Sequence, residues 1–284
     1  MRFDIRRFIL PRNIIRRFFG DRGTHLAAMV AYYMLLSFFP LLFFSLAVIG
    51  ASGQARASSF LVHVLTHIFP HRSIASLVKA VGDVQAHTAF FGLVGLAFFV
   101  WTSLGLFSVL ESAMNIVYRL PNRSFLRGKA LALTLMGVMI VTLALALITG
   151  AIGFDLLTRY GGDSFSNPYL AYLISLLAST TGVFVFLCVV YGILPNTHLR
   201  LREILPGAIW SAVTLEVSFQ ILPLYLRYSA DVVSWQALGG PIILLVWLFL
   251  MANIIVFGAE INWAHAHQGG KRKHDRRSFF FGDT

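Results

Sequence analysis

Between positions 26 and 50 the chain runs for 25 residues without Asp, Glu, Lys, Arg or His. A helix needs about 20 predominantly apolar residues to cross the hydrocarbon core of a bilayer. Three further runs, 89–110, 130–153 and 169–194, are equally free of charge. Two more are interrupted: 207–229 contains Glu216 and Pro223, and 242–263 holds Glu260 close to its end. Composition supports the same conclusion, with 57% hydrophobic and 12% charged residues, where a soluble domain carries about 25% charged. Polar surface sufficient to cover a water-soluble core is missing, which excludes an ordinary cytosolic enzyme and a disordered or collagen-like chain. The single cysteine, Cys188, lies inside the fourth run, so neither a disulfide framework nor a thiolate metal cluster is expected.

The expected fold is therefore all-α: a polytopic membrane protein with six transmembrane helices. Its orientation follows from the basic residues, which concentrate in cytoplasmic segments. Arg2, Arg6, Arg7, Arg12, Arg16, Arg17 and Arg22 precede the first span, and Arg119, Arg123, Arg127 and Lys129 join the second to the third. Arg200 and Arg202 join the fourth to the fifth, and Lys271, Arg272, Lys273, Arg276 and Arg277 lie in the tail, giving 18 of the 23 basic residues on one side. Both termini are thus expected in the cytosol. This division accounts for most of the net charge of +11 without nucleic acid as a partner. A cleaved leader is not expected, because the first run is longer than a signal h-region and contains Pro40.

Three regions are expected outside the six spans. Residues 1–25 form a basic amphipathic segment in which Phe3, Leu10, Ile14 and Phe18 recur at helical spacings, with Pro11 as a break. It either lies in the membrane interface or serves as a topology-fixing flank. The outer loop 51–88 reads as two short amphipathic helices hinged near Pro70 and His71, fit either to cap the bundle or to enclose a cavity mouth. Residues 264–284 form a basic cytoplasmic tail, beyond the membrane domain of 26–263.

Glu216 is the most informative polar residue. It stands nine positions after Gly207, about 14 Å along a helix, and an acid near the bilayer centre costs about 2.5–3.5 kcal/mol on insertion scales. It should face the bundle interior or water. Gln220 follows one turn later on the same face, and Pro223 permits a kink. Such a face suits a substrate or proton path, or a buried interhelical hydrogen bond that only holds the bundle. Glu111 and Asn115, continued by Arg119, form a polar stripe at the end of span two, and Glu260 and Asn262 lie near the end of span six. These read as a cytoplasmic gate or headgroup site, or as interface anchors. Tyr33, Ser37 and Pro40 give span one a polar face and a hinge, while Gly92, Gly95, Ser108 and Ser112 suit close helix packing. His63, His67 and His71 have i, i+4, i+8 spacing, but Pro70 interrupts them and no carboxylate or cysteine accompanies them. His265 and His267 are weaker still. There is no Walker loop, HExxH, GxSxG or paired-cysteine motif, so no enzyme, metal site or cofactor is expected.

Several segments together resemble the YihY/BrkB membrane protein family. Ala27-Ala-Met-Val-Ala-Tyr-Tyr-Met-Leu-Leu-Ser-Phe-Phe-Pro40 is similar to its first-span signature, as are Trp101-Thr-Ser103 and Met114-Asn-Ile-Val-Tyr118 to later segments. Leu194-Pro-Asn196 followed by Leu205-Pro-Gly-Ala208 resembles its fourth-to-fifth connection. Leu245-Val-Trp247 and the more specific Gly258-Ala-Glu-Ile-Asn262 resemble its final span. Gln236-Ala237 departs from the expected Tyr-Gly. The resemblance implies a bacterial inner-membrane protein with a virulence or serum-resistance association. It also implies a role in envelope lipid export or solute transport for some members, and an old ribonuclease BN label that nothing in these residues supports. The expected function is a transporter or translocator of a lipid-like or small solute, with a non-transporting envelope scaffold as the alternative. The expected partners are membrane lipids and a periplasmic or membrane protein.

Overall fold

The computed structural model describes residues 12–51, 88–138, 168–228 and 239–268. Among them the chain is wholly helical outside short connections: α1 is Arg12–Gly20, α2 Gly23–Ala51 and α3 Thr88–Tyr118, followed by α4 at 125–138. Then come α5 at Pro168–Ile193, α6 at Leu201–Tyr228 and α7 at Gly239–Gln268. The outer loop, with its expected helices and with His63, His67 and His71, lies outside the described residues, as does most of the basic tail.

Four described segments are long and apolar enough to cross a membrane: Gly23–Leu41, Leu93–Tyr118, Leu201–Leu222 and Ile242–His267. Of the other two expected spans, α4 represents the beginning of 130–153, and Ser179–Ile193 in α5 is a shorter apolar segment. Helix α7 packs on α2, α3 and α6, while α3 packs most extensively on α2, and α5 packs on α6. The faces turned inward carry Ala27, Val30 and Ala31, then Phe107, Met114 and Val117, and Ala252, Val256 and Ala259, all nearly inaccessible. The opposite faces keep Leu93, Phe98 and Trp101 of α3, Val213 and Val217 of α6, and Ile242 and Val246 of α7 exposed. Apolar belts of that extent are untenable in water and are what acyl chains solvate.

Small residues set the closest approaches. A Cβ on Gly207 of α6 would collide with the Gly258 carbonyl and Asn262 Oδ1 of α7, and one on Gly258 with Ser211 Oγ and Tyr191 OH. Without a hydrophobic force between helices in lipid, such backbone proximity is what makes their packing tight. Pro40 and Pro223, expected as hinges, both lie inside uninterrupted helices.

Helix α3 extends past the expected end at 110. Its C-terminus closes at Arg119 (φ 56°), whose N–H donates to the Ile116 carbonyl at 3.1 Å while Leu120 N–H donates to that of Asn115 at 2.8 Å. This is a Schellman closure, with arginine in the left-handed conformation usually given to glycine. Helix α6 starts with the carboxylate half of a capping box, Arg200 N–H donating to Glu203 Oε2 at 2.8 Å.

Candidate functional site

The expected polar residues fall into separate groups. Glu216 of α6 is 8% exposed and faces α5. Its Oε2 accepts from Ser179 Oγ at 3.0 Å and its Oε1 from Gln220 Nε2 at 3.1 Å. The i, i+4 pairing of Glu216 and Gln220 is the one the sequence suggested, whereas Ser179 had no distinguishing signal. Among the described residues no cation forms an ion pair with this carboxylate.

Glu111 and Asn115 belong to a second group, and their partners correct the expected stripe to Arg119. Arg119 leaves the helix and turns toward Asp21, at 3.8 Å. Glu111 instead pairs with Arg123 at 3.2 Å, in the connection that folds back beside α3. Arg123 also donates to the carbonyls of Leu194 at 2.6 Å, Pro195 at 2.9 Å and Ile193 at 3.1 Å, capping the C-terminus of α5. Asn115 accepts from the Asn196 backbone N–H at 2.8 Å and donates to Asn122 Oδ1 at 3.0 Å. All but the Asn115–Asn122 bond satisfy a backbone group or a charge, so this group ties two connections together.

The third group forms where α1 meets α7. Ile14 and Phe18 turn into the bundle, and Phe18 meets Phe257 edge to face at 5.4 Å. The stripe expected in the interface thus docks on protein over its described part. Arg17 follows it inward: Nε lies 3.0 Å from both Asp21 Oδ2 and Glu260 Oε2, Nη2 donates to the Val117 carbonyl at 2.5 Å, and the guanidinium lies over the Trp263 ring. Glu260 is fully buried, and Arg17 supplies its charge partner rather than a hydrogen bond, since Nε donates to Asp21. Burial pulls the Arg17 guanidinium below its ordinary pKa, against Glu260 and then Asp21, which favour the charged form.

Asn262 faces the other way. Its Oδ1 accepts from the Gly207 backbone N–H at 2.7 Å, beside the buried pair Tyr191 OH and Ser211 Oγ at 2.9 Å. Tyr33 lies against α3 where Gly105 has no side chain, and Ser37 is buried in the same helix. His267 stacks on Trp263, and no group of three or more His, Cys, Asp or Glu among the described residues is arranged to hold a metal ion. Sequence reasoning missed the roles of Arg123, Tyr191 and Ser211, because one arginine among several in a basic loop and a tyrosine in an apolar run carry no local signal.

An apolar-faced helical bundle with buried polar contacts at one end and an acid between two of its helices defines an integral membrane protein. The sequence pattern of the family described as virulence factor BrkB matches residues 14–279, and the chain belongs to that family. The ribonuclease-like protein YfkH of Bacillus subtilis is 26% identical over 263 residues, covering 88% of this chain and 93% of that protein. A UPF0761 membrane protein of Laribacter hongkongensis is 29% identical over 257 residues, covering 87% of this chain, which spans only 58% of that protein. The UPF0761 membrane protein VV0203 of Vibrio vulnificus is 27% identical over 274 residues, covering 93% of this chain and 83% of that protein. No solved structure matches the chain. With its membrane-length helices, this kinship makes it a multi-pass inner-membrane protein.

Proposed function

We propose that the chain translocates a lipid-like or small solute of the cell envelope through a six-span bundle with both termini in the cytosol. The membrane domain is 26–263, flanked by the basic segment 1–25 and the tail 264–284. Support for the topology comes from Arg17, Arg119 and Arg123, which gather at one end of the bundle, as a shared cytoplasmic side requires. Support for translocation rests on Glu216, a buried carboxyl between α5 and α6 whose partners are neutral. Acids within spans are rare and mark substrate, ion or proton routes.

The test is reconstitution into liposomes, with fluorescent-lipid scrambling and pH-gradient-driven solute uptake measured for wild type and Glu216→Gln. Rates of the variant are expected to fall to the protein-free background while its elution profile stays that of wild type. Equal rates in every assay would remove Glu216 from the mechanism. The word ribonuclease is said of YfkH, and none of the contacts described above carries it to this chain.

A further inference from the structure

We infer that one face of α3, between α2 and α4, is a binding site for a lipid with an anionic, phosphate-bearing headgroup, held by Lys129. As a name for the translocated class this rests on the function proposed above; as a binding site it stands alone.

Trp101, Gly105, Ser108 and Ser112 recur at i, i+4, i+7 and i+11 and share one face of α3. Tyr33 of α2 lies against Gly105, Lys129 of α4 donates to Ser108 Oγ at 3.0 Å, and Asn122 donates to Ser112 Oγ at 3.3 Å. A lysine at the start of a span ordinarily snorkels toward the headgroups. Lys129 does the reverse. Gly128 sits beside Glu111, yet the Lys129 ammonium reaches along α3 to Ser108 and, at 3.4 Å, to the Leu104 carbonyl, away from the end that holds Arg17 and Arg119. Among the described residues it pairs with no carboxylate, since Glu111 is taken by Arg123. Its charge is met by one hydroxyl, one long contact to a carbonyl and the face of the Phe125 ring, although ionisable groups within spans are normally paired.

The surroundings have the shape of a lipid. Trp101, 68% exposed, continues the face two turns deeper than Ser108, about 10 Å along the axis, at acyl-chain level. Phe125 and Leu126, 76% and 79% exposed, stand one turn before Lys129 on α4, with the ammonium 5.7 Å from the Phe125 ring. A soluble phosphate would use the cation and leave these apolar surfaces uncovered; a lipid uses both.

The test places the purified chain in phosphatidylcholine nanodiscs doped with acyl-brominated phosphatidylglycerol or acyl-brominated phosphatidylcholine, and follows tryptophan quenching. At low mole fraction an about fivefold preference for phosphatidylglycerol is expected, the scale of one juxtamembrane cation against an anionic lipid. The preference should vanish in Lys129→Gln, persist in Lys129→Arg, and disappear with the lost emission in Trp101→Phe. Equal quenching by the two lipids in wild type would overturn the site. An equal loss in Arg127→Gln would also overturn it, in favour of diffuse surface attraction. Relief of quenching by millimolar inorganic phosphate, relative to chloride at the same ionic strength, would overturn the lipid assignment in favour of a soluble phosphate. These outcomes are independent of Glu216: a lipid that binds without being moved leaves the Lys129 preference intact and Glu216→Gln indistinguishable from wild type in transport.

Discussion

At the scale of single residues, one buried charge meets its partner across two helices. Glu260 is inaccessible to solvent and Arg17 supplies its counter-charge from a different helix. Breaking a buried pair by removing one partner leaves an uncompensated charge and costs about 3–5 kcal/mol, whereas replacing both by neutral groups of similar volume is often neutral. Arg17→Ala is therefore expected to lower the thermal midpoint of the detergent-solubilised protein strongly, and Arg17→Met combined with Glu260→Gln to recover most of the loss. Additive losses in the double variant would show that the two residues act separately. None of this pairing was legible locally. Arg17 is one of seven arginines before the first span, and only the docking of Phe18 on Phe257 singles it out.

The elements themselves were largely written in the sequence. The expected runs 26–50, 169–194, 207–229 and 242–263 fall on α2, α5, α6 and α7, because long, predominantly apolar runs have helix as their way to satisfy every backbone group in lipid. The ends were less legible. Helix α3 continues beyond 110 because Arg123, Asn122 and the Asn196 backbone satisfy Glu111 and Asn115, a partnership that spans two connections. Helix contacts add a prediction at this scale. Gly207→Ala places a methyl group against the Asn262 side chain and the Gly258 carbonyl, and that backbone carbonyl cannot yield without moving α7. Such overpacking costs about 1–3 kcal/mol. Gly182→Ala meets nothing within 4 Å and is expected to be neutral or slightly stabilising, since alanine is the better helix former. Thermal unfolding of the two variants side by side separates crowding from the loss of a glycine as such.

For the whole molecule, the arrangement of charge carries the prediction. Reporter fusions at Asn122 and His274 should read as cytoplasmic and those at Ser59 and Gly162 as external. An external reading at Asn122 would invert the proposed topology and place Arg123 on the wrong side of the membrane. Relatives extend the comparison without supplying a mechanism. The family pattern covers nearly all of the chain, yet the chain spans 58% of the Laribacter protein, so the activity of that longer relative is its own.

Hydrophobic run length and low charge content were sufficient to determine that this chain lives in a membrane, in helices. Both are one-dimensional properties, and the transfer of apolar surface into lipid depends on little else. Which polar residues meet was decided by tertiary structure alone: Glu216 with Ser179, Glu111 with Arg123 rather than Arg119, and Lys129 with Ser108. Hydrogen bonds and ion pairs act over about 3 Å, and only the packing of distant helices brings their partners to that distance.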